Sequence, residues 1–214
     1  MVKFPLFIRK IMFDITPQKQ QKITHFVKTL SKLEKQIISF PYFTKKEISG
    51  LVDYCNQLSF REAIPLTKTD VVQDFSVCFP APKIGLMKKC INHFEQLFLD
   101  KNLKQFFSSS LIFNDIAVQK YRAGSSGIGV HRDGLRYRDL ILIICLSGRS
   151  EFFVANSRDG SNIEVIDDTP GRLVLMSGPG FKNLVNPDNR LFHGVKNIEN
   201  GRLSIGLRCN SRFH

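Results

Sequence analysis

The sequence predicts an α+β, mainly β fold. A β-sandwich or jelly roll occupies the second half, and helices from the first half cover one of its outer faces. Three observations carry this. Apolar residues recur at spacings of three and four up to about residue 107; from Leu111 the pattern changes to period two or to β-rich runs; and turn signals separate those runs at short intervals. The 214 residues are 43% hydrophobic and 23% charged, an ordinary globular composition that excludes disorder, collagen and coiled coil as overall descriptions. Residues 1–110 are expected to form a helical extension with supporting helices and residues 111–214 the β core. With no convincing linker, repeat or low-complexity segment, the two parts are expected to form one folded unit.

In the first half, Thr16 followed by Pro17 marks a helix start, an N-cap and a favoured first-turn proline. Ile23, Phe26, Val27, Leu30, Leu33 and Ile37 then form one apolar stripe, which predicts a helix over 17–39. Thr44 opens a second helix, with Glu47 completing a capping box and Ile48, Leu51, Val52, Cys55 and Leu58 on its buried side. Residues 71–81 read as extended and end in a Pro-Ala-Pro break. A third helix is expected from about Lys83 to Phe98, with a further helical turn up to Phe107.

Eight strands are expected in the second half: 115–122, 127–132, 139–146, 151–155, 162–166, 172–176, 190–195 and 202–208. Asp133-Gly134, Ser147-Gly148, Arg158-Asp159-Gly160, Thr169-Pro170-Gly171 and Gly178-Pro179-Gly180 are among the turns between them.

The charge balance, 31 basic against 19 acidic side chains, gives a net +12 and favours anionic partners: nucleic acid, a membrane surface or small phosphorylated compounds. No run of about 18 apolar residues is present, so no membrane-spanning helix is expected. The five cysteines contain no CxxC pair and are odd in number, which argues against a zinc ribbon and a disulfide scaffold. Reduced, buried thiols point to a cytoplasmic protein, with nuclear or organellar locations left open. The basic first ten residues lack a signal-peptide core and cleavage site, and they are poor in Ser and Arg for an organellar presequence.

His131-Arg132-Asp133 is the sharpest local feature. On a strand, residues two apart point to one face, so an imidazole and a carboxylate aim at one point while Arg132 faces away. His193 follows on a late strand. Two histidines and one carboxylate on a shared face make the facial triad of non-haem Fe(II), which leaves coordination positions open for a 2-oxoacid and O2. An isolated HxD is more often a surface loop or an ion pair; the surrounding β segments and the strand histidine favour the metal reading. His25 and His93 sit in helical patterns and read as surface or interface residues, and His214 as a frayed terminus. On the last strand, Leu203, Ile205 and Leu207 share one face and Ser204, Gly206 and Arg208 the other. An inward Arg beside small neighbours suits a ligand carboxylate, because its planar fork binds carboxylate bidentately; an Arg paired with an acid at the barrel mouth is the equal alternative.

These residues resemble the Fe(II)- and 2-oxoglutarate-dependent dioxygenases, in particular their AlkB-like branch. The likeness is carried by 40–47 (Phe-Pro-Tyr-Phe-Thr-Lys-Lys-Glu), by 113–124 leading into Ile128–Asp133, by Arg190–Val195 and by Leu203–Asn210, and it covers the chain from about residue 40 to the end. It implies a double-stranded β-helix. It also implies iron held by His131, Asp133 and His193, with 2-oxoglutarate and O2 as cosubstrates and Arg208 on the far carboxylate, supported by Tyr121, Asn210 or Arg202. From spacing alone, Tyr121 reads equally as a core aromatic with a bonded hydroxyl, and Asn210 as a terminal turn residue. The activity implied is 2-oxoglutarate decarboxylation coupled to hydroxylation of a substrate C–H bond, demethylation if the carbon is an N-methyl group. The sequence departs from the family at the second Arg six residues on, which falls on His214 with Arg212 or Arg202 as substitutes, at Gln119 in place of Asn, and after the HxD turn, where Gly134–Arg138 replaces an acidic residue.

Lys120, Arg122, Arg132, Arg136 and Arg138, with Tyr137 among them, are expected beside the metal, where they could hold phosphates and stack a base; a solvated charged loop is the alternative. Nucleic acid is the expected partner on this reading, and a small metabolite or protein side chain the alternative substrate. A non-catalytic jelly-roll binding module is the remaining alternative, against which the intact His131, Asp133, His193 and Arg208 argue. Asp133 also argues against a halogenase, which needs a small residue there to admit chloride.

Overall fold

The computed structural model describes residues 11–32, 34, 36–64 and 71–213. The first ten residues, Leu33 and His214 lie outside the described residues.

Three helices, α1 (Pro17–Leu30), α2 (Lys45–Cys55) and α3 (Gly85–Leu97), accompany twelve strands among the described residues. The strands are β1 (Ile37–Pro41), β2 (Arg61–Glu62), β3 (Gln73–Asp74), β4 (Ser76–Cys78), β5 (Asp115–Tyr121), β6 (Gly127–His131), β7 (Tyr137–Gly148), β8 (Glu151–Ala155), β9 (Glu164–Ile166), β10 (Arg172–Ser177), β11 (Phe192–Lys196) and β12 (Arg202–Asn210). They form a seven-stranded sheet in the order β1-β10-β7-β12-β5-β4-β2 and a five-stranded sheet in the order β3-β6-β11-β8-β9. Every pairing is antiparallel. The two sheets enclose a jelly-roll interior, a double-stranded β-helix. All eight strands expected in the second half are present, with ends shifted by a few residues.

The central strands of the larger sheet are buried on both faces, which is why β7 reads as a continuous apolar run from Leu140 to Leu146. On β12, Leu203, Ile205 and Leu207 pack outward into a core shared with Val27, Leu51 and Phe94 of the helices. Each fully buried aliphatic side chain there contributes about 1.5–3 kcal/mol of transfer free energy. α2 packs on β7 and α3, and α1 on β1 and β10. The inner faces build a second, smaller core from Ile37, Tyr121, Ile128, Tyr137, Phe152, Val174 and Val195. Among the described residues, no helix is long and apolar enough to cross a membrane. All five cysteines are free and buried.

The helix starts follow the sequence. Thr16 Oγ1 accepts from Lys19 N at 3.2 Å, and Thr44 and Glu47 form the reciprocal capping box. The end of the first helix does not. It stops at Leu30, Gln36 takes a left-handed φ of 56°, and Ile37–Pro41 becomes the edge strand of the larger sheet. The apolar pattern is ambiguous here because Ile37 fills the barrel interior while Phe40 fills the helix-side core, which is strand alternation interrupted by a polar Ser39. Residues 37–41 and 61–78 thus add four strands, β1 to β4, from the first half of the chain. His93, read as a surface or interface residue, is buried: its Nε2 lies 2.6 Å from the Tyr42 hydroxyl and its Nδ1 3.0 Å from the Phe13 carbonyl.

Candidate metal centre

β6 delivers His131 at its last residue, and the chain turns off the strand through Asp133 and Gly134. β11 runs antiparallel to β6 with His193 directly opposite His131, and the two ring centroids are 4.3 Å apart. Two glycines permit this close pairing. A Cβ on Gly127 would lie 2.0 Å from the Val195 carbonyl oxygen, and one on Gly194 would lie 2.7 Å from the Ile128 carbonyl oxygen. One ligand atom from each of His131, Asp133 and His193 falls within 4.8 Å of the others. His131 Nδ1 donates to the Gly129 carbonyl at 2.9 Å, which fixes the ring and leaves Nε2 for a metal. Arg190 donates to the backbone carbonyl of Asp133 and braces the turn.

The electrostatics suit a divalent cation. Burial pushes the Asp133 carboxyl up, but Arg208, then His193 and His131, outweigh it and hold the group below its usual range. Burial and the neighbouring His131 push His193 down to about 3, so the imidazole stays neutral, the form that ligates metal. The arrangement can hold one metal on a single face and leave the opposite positions open.

Arg208 points into the barrel as its strand parity requires, with Nε 3.4 Å from Asp133 Oδ1 and its guanidinium 5.1 Å from the Tyr137 ring centre. Arg202 shares that parity and lines the same cavity, together with His131, His193, Phe152 and Ser204. It lies opposite Tyr121 in the β12–β5 register. Arg202 and Arg208, six residues apart on β12, thus face one cavity. Arg202 Nε and the Tyr121 hydroxyl are buried and have no hydrogen-bond partner among the described residues. Burial pushes the Tyr121 hydroxyl well above its ordinary range, so it remains a donor. Asn210 is turned away: its side-chain amide donates to Asp115 Oδ2 at 2.8 Å and its backbone N–H to Asn114 Oδ1 at 2.7 Å.

The basic residues expected around the metal separate. Lys120 faces the helices, with its ammonium over Phe60 and 3.4 Å from Asn56 Oδ1, and Arg122 pairs with Asp74 at 3.1 Å. Arg136 donates to the Tyr137 hydroxyl at 2.8 Å, and Tyr137 itself is buried, so this ring walls the metal pocket and offers no free face for stacking a base. Arg138 is half-buried at the start of β7. Arg132 stacks 3.9 Å over the Phe192 ring at the edge of a groove of about 320 Å³ beside His131, which Val71, Gln73, Val130 and Arg158 complete. Arg158 was missed by sequence reasoning because it sits in a turn-like Arg-Asp-Gly. Asp168, which pairs with Arg202, was missed for the same reason, lying in Asp167-Asp168-Thr169-Pro170-Gly171.

Solved structures share this two-sheet architecture. A prolyl hydroxylase from Trichoplax adhaerens, solved with a hypoxia inducible factor peptide fragment, aligns with a TM-score of 0.65 at 13% identity over 93% of this chain and 95% of that one. A Pseudomonas putida prolyl-4-hydroxylase gives 0.63 at 14% identity over 88% and 98%, and OsALKBH1 gives 0.55 at 13% identity over 81% and 97%. The chain thus has the fold of the 2-oxoglutarate–Fe(II) oxygenases, AlkB-like proteins included. No family model and no curated protein sequence matches it.

Proposed function

We propose that this protein is an Fe(II)- and 2-oxoglutarate-dependent dioxygenase that hydroxylates a C–H bond of a substrate carrying an anionic group. The observation that carries this reading is the convergence of His131, Asp133 and His193 beside an inward arginine pair. When bound, Fe(II) and 2-oxoglutarate supply the oxidising power, with O2 giving one oxygen to succinate as CO2 leaves and the other to the substrate carbon.

The chain's own residues fit that task. His131, Asp133 and His193 hold the metal. Arg208, ion-paired to Asp133, keeps that carboxylate charged and oriented. The unsatisfied Arg202 Nε and Tyr121 hydroxyl are two buried donors that a carboxylate would satisfy, so the far end of 2-oxoglutarate is assigned to Arg202 in preference to Arg208. Ser204, buried one step along the same face, leaves room for it. Arg132 and Arg158 sit on the groove beside His131, and neither has an acidic partner among the described residues. Together with the net charge of +12, they favour an anionic substrate such as a nucleic-acid strand, which would be demethylated if the oxidised carbon is an N-methyl group. Peptide hydroxylation is a second reading, favoured by the higher TM-scores of the prolyl hydroxylases.

Succinate release in the presence of Fe(II), 2-oxoglutarate and O2 tests the reading, with single-stranded methylated nucleic acids, proline-containing peptides and small anionic metabolites as substrates. Stimulation by nucleic acid supports the first reading and stimulation by peptides the second. Absence of iron-dependent turnover with every class counts against both.

A further inference from the structure

Arg202 already has a carboxylate partner inside the protein. Asp168, on the loop between β9 and β10, places Oδ2 2.5 Å from Arg202 Nη1, and both side chains are buried, at 7% and 2% exposure. The same Nη1 reaches Ser150 Oγ at 3.0 Å and lies 3.5 Å from Cys145 Sγ. One end of the guanidinium is therefore committed, while Nε remains without a partner among the described residues, as does the hydroxyl of Tyr121 opposite it on β5.

A buried cation with no counter-ion attracts an incoming carboxylate strongly. One already neutralised at close range attracts it far less, and here the two carboxylates would also repel each other across a single guanidinium. We propose that Asp168 is a resident rival for Arg202 that sets how tightly the protein holds the far carboxylate of its cosubstrate. This rests on the assignment of Arg202 to 2-oxoglutarate made above. Asp168 is a specificity-determining residue on this view. It acts only on ligands whose second carboxylate reaches Arg202, and it raises the 2-oxoglutarate concentration needed to load the site. Ser150 Oγ accepts from the same Nη1 and does not depend on the Asp168 charge.

The test is anaerobic calorimetric titration of 2-oxoglutarate into the Fe(II)-loaded protein, wild type against Asp168→Asn, which keeps the shape and removes the charge. The expected result is binding at least about tenfold tighter in the variant, a change of about 1.4 kcal/mol. Affinity for 2-oxobutyrate, which has the chelating end and no second carboxylate, should not change. If Asp168→Asn does not fold, Asp168→Ser is read the same way, since it leaves space for water against Nη1. Equal or weaker 2-oxoglutarate binding in a folded variant overturns the role of Asp168 alone. Equal tightening of both ligands also overturns it, because the effect would then not pass through the second carboxylate. Failure of wild type and variants alike to bind 2-oxoglutarate overturns the cosubstrate assignment and this inference with it.

Discussion

Replacing Arg202 by Lys separates the two arginines of β12. The guanidinium Nε is without a partner among the described residues, as is the hydroxyl of Tyr121 opposite it on β5, while Nη1 is anchored on Asp168 and Ser150. A lysine ammonium is a point charge: it can follow Asp168 or a ligand carboxylate, but it cannot serve both from opposite edges. The loss is about one charge-assisted hydrogen bond, about 1.5–3 kcal/mol, which corresponds to roughly a 10- to 150-fold rise in the 2-oxoglutarate Kd. Anaerobic titration of the Fe(II)-loaded protein measures it directly. Arg208→Lys is the control. Arg208 is ion-paired to Asp133 and lies opposite Asp115, not Tyr121, on β5, so its replacement should weaken iron before it weakens 2-oxoglutarate. If Arg208→Lys loses 2-oxoglutarate affinity with iron retained, while Arg202→Lys keeps both, the wrong arginine has been assigned to the tail.

Two further expectations concern stability. Thr44→Ala removes the capping hydroxyl that accepts from Glu47 N at 3.2 Å; it should cost about 1 kcal/mol and lower Tm by about 2–4 °C in a thermal melt. Burial pushes His93 down to about 4, so below its ordinary value of 6.5 the unfolded chain takes up a proton that the folded chain refuses. The neutral ring's contribution is complete above about pH 6.5 and falls away as the pH drops toward 4, by up to about 3 kcal/mol. Urea unfolding at pH 7 and pH 5 should show lower stability at pH 5, and a His93→Gln variant should lose part of that pH dependence; a slope equal to wild type would refute the assignment.

Much of the fold was legible because local and tertiary demands agree. The turn dipeptides, the two-sided burial of β7 and the parity of β12 all appear in the residues themselves. So do the ligands, since strand periodicity puts His131 and Asp133 on one side, although the pairing of His193 with His131 is a long-range register that no local pattern contains. The end of the first helix was misread because Ile37 continues a helical stripe by spacing, and only its partner Met176 on β10 makes it a strand residue. The basic cluster was overcounted because sequence proximity does not reveal that Lys120 shares the outward face of Leu203. Asp168 looked like a turn carboxylate, and only the folded barrel brings it to Arg202, thirty-four residues away in sequence.

The proposed chemistry rests on the metal centre, and anaerobic Fe(II) titration followed by equilibrium dialysis tests that centre most directly. The wild-type protein should retain a single equivalent of iron. Asp133→Ala, which removes the carboxylate flanked by His131, His193 and Arg208, should retain none while its circular dichroism spectrum stays that of the folded chain. Iron retained equally by the folded variant, or none retained by wild type, would contradict the claim that these three side chains form the metal site.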